Sequence, residues 1–399
     1  MGPLLPIFLI VVVDVLGLTL MLPLLPFYAE QFGASATVVG LLVSTYALCQ
    51  LVAGPVLGQI SDRVGRKPVL LVSQLGTFLG FLVLAFAPNL FFVFLARIID
   101  GLTAGNLSIA QAYIADVTPP KERSKAFAVI GIAFGIGFLV GPGVSGLLSA
   151  HFGYRVPIFC AAALSLCSIL GTTFLLPANP AVHYAQDDAQ APAAPGGKRL
   201  RLLDWGAYAQ YFRKPVLGGL LVEFFLFTFA FAIFTGGFAL FAERRFGWSV
   251  KQVGYVFAYS GFLGIFVQGS MRQGALVSKL GEVRLVTVGF LGAAIGYAIL
   301  GASFSVPLLL VAATFSSFGN GVLRPALTSL ISQQVPRTEQ GLVLGLNQSL
   351  LSLAQISGPA LAGSLIDRGF LSTWAWAAGL VMSAALLLNL RARNSRLAA

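Results

Sequence analysis

Twelve runs of mostly apolar residues, each about as long as a bilayer is thick, leave this 399-residue chain no water-soluble way to fold. A hydrocarbon layer about 30 Å thick takes about 20 residues at about 1.5 Å rise each. The runs cover roughly 4–25, 38–58, 68–87, 91–116, 126–149, 157–176, 215–241, 251–273, 284–303, 307–332, 342–366 and 373–391. Charged residues make up 10% of the chain against 57% hydrophobic ones, too few to cover a soluble fold of this size. Most neighbouring runs are only a few residues apart, so they must pair as antiparallel hairpins. The first run starts almost at Met1 without a basic leader or a small-residue cleavage site, which predicts a retained helix rather than a signal peptide.

The basic residues set the orientation. With both termini in the cytoplasm, eighteen of the 25 Lys and Arg fall on that side, five on the other, and Arg97 and Arg324 inside spans. The net charge of +11 is therefore a topology signal, and a nucleic-acid partner is not expected. Residues 177–214, with Pro177, Pro180, Pro192 and Pro195, read as a linker between an N-terminal six-helix bundle (1–176) and a C-terminal one (215–399). Its Lys198, Arg199 and Arg201 read either as a solvated basic stretch or as contacts to anionic membrane lipid. The halves repeat: Gly58…Arg63-Val64-Gly65 matches Gly274…Lys279-Leu280-Gly281 at an offset of 216, and Gly141-Pro142 matches Gly358-Pro359 at 217.

Enzymatic chemistry finds no foothold. Cys49, Cys160 and Cys167 sit in apolar sequence without metal-ligand spacing, His151 and His183 fall outside the expected spans, and no nucleotide-binding Gly-x-x-x-x-Gly-Lys-Ser/Thr loop occurs. No metal or cofactor is expected, and transport would draw its energy from gradients.

Four motifs carry a family resemblance. Gly58-Gln59-Ile60-Ser61-Asp62-Arg63-Val64-Gly65-Arg66-Lys67-Pro68 resembles the signature loop of the major facilitator superfamily. On its own residues, Gly58 and Gly65 allow a tight turn, Arg66 and Lys67 favour the cytoplasm, and Pro68 can open a helix. The resemblance implies that Asp62, Arg66 and Asp116 form a charge network locking one conformation; the alternative is that these charges only fix topology. Gly131, Gly135, Gly137, Gly141-Pro142 and Gly146 are similar to the family's antiporter motif. Their small-xxx-small spacing suits close helix packing, with export as the implied association. Arg97-Ile98-Ile99-Asp100-Gly101 is similar to a motif linked to proton coupling, although family members often carry an uncharged residue where Asp100 stands. Three residues apart, Arg97 and Asp100 share a helix face and can pair, for coupling or for structure alone.

Helix 1, with Asp14-Val15-Leu16-Gly17 and Pro23-Leu24-Leu25-Pro26, resembles the drug:proton antiporters of the tetracycline-pump group. Asp14 lies about eleven residues, roughly 16 Å, into its helix. A charge at that depth costs at least about 2.5–3.5 kcal/mol on insertion scales, so the carboxyl must be paired, hydrated or protonated. Asp14 is thus a candidate proton carrier, with a packing or hydrogen-bonding role as the alternative.

The resemblance implies an all-α membrane protein of twelve transmembrane helices in two pseudo-symmetric six-helix bundles around a central cavity. It also implies a proton-coupled secondary transporter that exports a small amphiphilic compound or organic anion from a bacterial cytoplasmic membrane, acting as a monomer. Uptake of a small solute by proton symport or facilitated diffusion, and ligand sensing without transport, are the alternatives. Tetracycline itself fits poorly: where the resistance pumps carry an aspartate, a histidine and a further acid, this chain has Gly80, Gly264-Ile265 and Gly292-Ala293. Candidate substrate contacts are Tyr46, Gln50, Asn106, Gln111, Gln268, Asn347, Gln348 and Gln355, each equally able to bond a neighbouring helix, together with the charged Arg324 and Glu223. Glu223, about 12 Å into its span, can instead snorkel toward the cytoplasm. The 33 Phe residues carry no substrate information by number alone.

Overall fold

The computed structural model of the chain describes residues 4–118, 123–177, 205–272, 275–335 and 340–397. Among them the structure is all helical: α1 (Leu4–Glu30), α2 (Ala36–Val64), α3 (Arg66–Ala85), α4 (Leu90–Leu102), α5 (Asn106–Val117), α6 (Arg123–Phe152) and α7 (Arg155–Leu175) precede the linker. After it come α8 (Trp205–Phe212), α9 (Pro215–Phe246), α10 (Val250–Arg272), α11 (Ala275–Gly301), α12 (Val306–Gln333), α13 (Gln340–Asp367) and α14 (Thr373–Leu397). Twelve segments are long and apolar enough to cross a membrane, with α4 and α5 together forming the fourth. Helices suit such a solvent because every backbone N–H finds a carbonyl within its own segment. Pro55, Pro142, Pro325 and Pro359 sit inside helices whose neighbours tolerate the missing donor. Most of the linker, with Lys198, Arg199, Arg201 and His183, lies outside the described residues, as does Gly274.

Six glycines among the described residues have positive φ, and they form three pairs: Gly33 (78°) with Gly247 (65°), Gly65 (103°) with Gly281 (72°), and Gly153 (78°) with Gly369 (83°). The members of each pair stand about 216 residues apart. Only glycine enters this region without a Cβ penalty, so the same three turns fold each half into the same frame. The two six-helix bundles are thus one motif built twice.

Three expectations need correcting. Gly58 is not part of the signature turn: α2 runs on to Val64, Asp62 lies in its last turn, and Gly65 alone reverses the chain. His151 belongs to the last turn of α6. The fourth span, expected as one helix over 91–116, breaks at Thr103–Gly105. Ser73 of α3 fills that break, its hydroxyl donating to the Thr103 carbonyl and accepting from the Gly105 N–H at 2.9 Å. The hydroxyl thus bridges the two backbone groups, which also bond each other at 2.7 Å.

The twelve spans bring both termini to one face, here the terminal face. The halves pack tightly at the opposite face. Ser44 Oγ of α2 donates to the Ile356 carbonyl of α13 at 2.5 Å. A Cβ added at Gly40 would fall on the Pro359 carbonyl, and one at Gly363 on that of Ala36. Across the other seam, a Cβ at Gly146 of α6 would come 2.8 Å from the Lys251 Cα of α10. Toward the terminal face, Gly54 and Gly58 of α2 and Gly345 of α13 meet open space instead. The cavity between the halves therefore opens to the terminal face. Gly40→Val is expected to cost this packing about 1–3 kcal/mol. A cysteine placed at the buried Ser44 should then react several-fold faster with a water-soluble thiol reagent; an unchanged rate would show that the seam does not depend on Gly40.

Candidate functional site

The N-terminal half gathers its buried polar groups where α1, α3, α4 and α7 meet. Arg97 and Asp100, one turn apart on α4, pair at 3.3 Å, with side chains only 6% and 7% exposed. The Arg97 guanidinium lies 6.0 Å from the Tyr46 ring centroid of α2, and Thr77 of α3 hydrogen-bonds Asp100. Asp14 of α1 hydrogen-bonds Ser168 of α7 and Gln74 of α3, and it faces the Asp100 carboxylate. Gln74 Nε2 donates to Ser168 Oγ at 2.7 Å, and Ser165 Oγ donates to the Gln74 carbonyl at 3.2 Å. Gln74 Oε1 is buried without a donor, and Arg97 Nε and Nη2 are buried without an acceptor.

This junction holds two carboxyls and one guanidinium, the guanidinium paired with Asp100. In a medium that penalises net charge, Asp14, Asp100 and Arg97 balance only when one carboxyl carries a proton. The orphaned Gln74 oxygen is an acceptor for that O–H. The helices come close enough for this because Gly80 has no side chain: a Cβ there would stand 3.1 Å from the Asp100 Cβ and 3.2 Å from the Ala96 carbonyl.

A second charge cluster lies at the terminal face. Arg66 Nε binds Asp116 Oδ2 at 2.8 Å, while its Nη1 binds Ser61 Oγ at 2.7 Å and Asp62. Lys67 Nζ donates to the Thr173 and Leu176 carbonyls at 2.8 and 2.6 Å, closing the C-terminal end of α7. At the repeat-related position Glu282 takes the place of Arg66, accepting from Ser329 at 2.9 Å and Gln333 at 3.1 Å on α12. The same joint is made by ions in one half and by an ion with neutral donors in the other.

The glycines of α6 serve two neighbours. Gly137 and Gly141 face α1, where Thr19 Oγ1 donates to the Gly137 carbonyl at 2.9 Å. Pro142 and Gly146 face α10, Pro142 through its carbonyl against Gly254. One helix is thereby held by its own half and by the other.

On the cavity side of α6, Arg324 of α12 is exposed, with its guanidinium 5.8 Å from the Phe134 ring centroid. No described carboxylate forms an ion pair with it. Gln268 of α10, also exposed, reaches toward Gly131 one turn away. Gln50 Nε2 donates to the Tyr46 hydroxyl at 3.3 Å. Asn106 is half-buried, Gln111 and Gln348 are exposed, Gln355 is half-buried, and both polar atoms of the buried Asn347 lack a partner. Glu223 does not snorkel. It is fully buried where α9 meets α14, accepting from Asn389 Nδ2 at 3.1 Å, and Asn389 accepts from Thr287 of α11 at 2.6 Å. A cavity of about 520 Å³ next to it is lined by Phe212 and Arg391. Gln74, Ser168, Thr77 and Ser61 were not expected from sequence. Single polar residues in apolar helices carry no signal until the helices are brought together.

The sequence pattern of the Major Facilitator Superfamily matches residues 7–281 and 269–397. The tetracycline resistance protein of class E from Escherichia coli is 31% identical over 391 residues, covering 96% of this chain and 93% of that protein. Multidrug resistance protein 2 of Bacillus subtilis is 30% identical over 355 residues, covering 88% and 86%. Among solved structures, the human organic anion transporter MFSD10 superposes with a TM-score of 0.72 at 24% identity, over 97% of this chain and 99% of that one.

Proposed function

Because the chain belongs to the major facilitator superfamily, a family of integral membrane transporters, we propose that it exports a small organic anion with an apolar body in exchange for protons. On this reading the terminal face is cytoplasmic and the protein sits in a bacterial cytoplasmic membrane. The observation that carries the proposal is the set of the half-buried Asp14 and the buried Asp100 and Arg97, whose charge balances with one proton bound. The exposed Arg324, without a described carboxylate partner, favours an anionic substrate, and Phe134 beside it offers an aromatic surface to the rest of the molecule. The likeness to tetracycline and multidrug resistance proteins favours export, while Gly80, Gly264 and Gly292 argue against tetracycline as the cargo.

The cycle follows from charge. A proton arriving from outside neutralises the Asp14–Asp100–Arg97 set and stabilises the state in which those helices are buried and the cavity faces the cytoplasm. Release of that proton to the cytoplasm leaves a net negative cluster, while substrate loads on Arg324. The bundles then rock to relieve the uncompensated charge at the other face. An inward proton and an outward monoanion both move charge down an inside-negative potential, together worth about 4.6 kcal/mol per 100 mV, twice the value for one charge.

Proteoliposomes loaded with a fluorescent aryl carboxylate provide the test. Imposing an acidic pH on the side opposite the dye should drive its exit through this protein. A flux identical with and without the pH gradient would refute proton coupling, and exit of cationic but not anionic dyes would refute the substrate class.

A further inference from the structure

The seam at the opposite face is closed by charge as well as by packing. Asp367, at the end of α13, accepts from the backbone N–H groups of Ala36 at 2.9 Å and Thr37 at 2.7 Å, and so caps the first turn of α2 in the other half. Arg244 of α9 stands between Asp367 at 3.6 Å and Glu30 of α1 at 3.8 Å, and donates to the Ile366 carbonyl at 3.2 Å. The Glu243 carboxyl of α9 lies beside that of Glu30, within hydrogen-bonding reach. Two carboxyls can share a hydrogen bond only with a proton between them, whereas two carboxylates at that distance repel. Tyr154, ahead of α7, faces both; burial and these two carboxylates hold its phenol above the ordinary range. The Glu30 side chain is about one-fifth exposed, so a proton from bulk water can reach it.

The remaining charges at this face are accounted for by element, with Arg368, next to Asp367 just past the end of α13, exposed. Arg155 of α7 acts on Tyr28, Arg245 of α9 donates to Ser372 and stacks on Phe304, and Lys251 of α10 packs against Gly146 of α6. His151 of α6 is exposed beside Phe152. Arg244 is the guanidinium within ion-pair reach of Glu30 and Asp367 among the described residues, and it is shared between them.

We propose that this face is a proton-dependent latch: one proton, held on Glu30 of the first half where it meets Glu243 of the second, is taken up as the face closes and given up as it opens. Asp367 and Arg244 supply the pH-independent part of the closure, and the carboxyl pair supplies the switch. Opening separates α1 from α9 and returns each carboxylate to water, where it has no need of the proton. The closed state thus binds one proton more than the open one, and the closed-to-open ratio rises by up to about tenfold per unit fall in pH. The latch is separate from the Asp14 set, which lies deep in the first half.

Spin labels at the exposed positions Gln31 and Phe370, in the full-length chain with Cys49, Cys160 and Cys167 replaced by alanine, report the closure as an interlabel distance. The short-distance population should grow between about pH 8 and about pH 6. Glu243→Gln places an amide N–H against Glu30, needs no latch proton, and should be more closed and respond to pH less steeply than the parent, through Asp14 alone. Asp367→Asn should lower the closed population at both ends and keep the pH response. Asp14→Asn should keep only the share of the response that the latch supplies, and the Asp14→Asn, Glu243→Gln double variant should not respond. A Glu243→Gln protein that still responds like the parent would overturn the latch, as would a parent that does not respond. A response lost in Asp14→Asn but kept in Glu243→Gln would assign the proton to the deep carboxyl and overturn it equally.

Discussion

Asp14→Asn should abolish pH-driven flux and leave counterflow of the same anion intact. Asparagine keeps the shape of the side chain and can still bond Ser168 and Gln74, so the junction of α1, α3 and α7 survives. What it loses is the ability to take and give a proton. With Asp14 neutral, Arg97 and Asp100 already balance each other, and the conformations no longer differ in their affinity for H⁺ at this site. The proton's share of the accumulation ratio, about fiftyfold per 100 mV, then disappears. The comparison needs two measurements on one preparation: dye accumulation under an imposed gradient, and dye exchange at equal pH. Undiminished accumulation would remove Asp14 from the coupling scheme, whereas loss of both activities would point to a folding defect.

The second large effect is expected at Arg324. Its guanidinium is exposed and rests near Phe134 of the other half, without a described carboxylate to hold it. A charge-assisted hydrogen bond to a substrate carboxylate is worth about 1.5–3 kcal/mol. Arg324→Gln should therefore raise the half-saturating anion concentration roughly ten- to hundredfold. Arg324→Lys keeps the charge but not the planar fork and should fall between the two. Equilibrium binding of the aryl carboxylate dye to purified protein reads this directly. Equal affinity in all three proteins would exclude Arg324 from the binding site.

The legibility of these features in the sequence follows their range along the chain. The spans are local, and an apolar run of the right length is sufficient to find each one. Arg97 and Asp100 are visible because they sit one turn apart. Asp62 and Arg66, four residues apart across one glycine turn, are paired in the sequence only through the family resemblance. Asp116 comes from the same resemblance, and fifty residues separate it from Arg66. Gln74 and Ser168 look like ordinary polar residues in apolar helices until α3 and α7 cross. The latch is the extreme case: Asp367 meets Ala36 across 331 residues, and nothing near either position announces the other. Glu223 shows the reverse error. Its depth along the helix suggested an escape to the surface, but Asn389 and Thr287, from two other helices, supply its bonds inside.

The interruption at Thr103–Gly105 gives the fourth span a mechanical property that a continuous helix would lack. Arg97 and Asp100 ride on the upper rod and Asp116 on the lower, and the peg between them is a single serine hydroxyl from α3. Bending there needs no stretching of either rod's internal bonds, only an exchange of partners at the peg. The buried pair and the rim ion pair are thus joined by a pivot rather than a shaft, and Ser73, which carries no charge, is bonded across it.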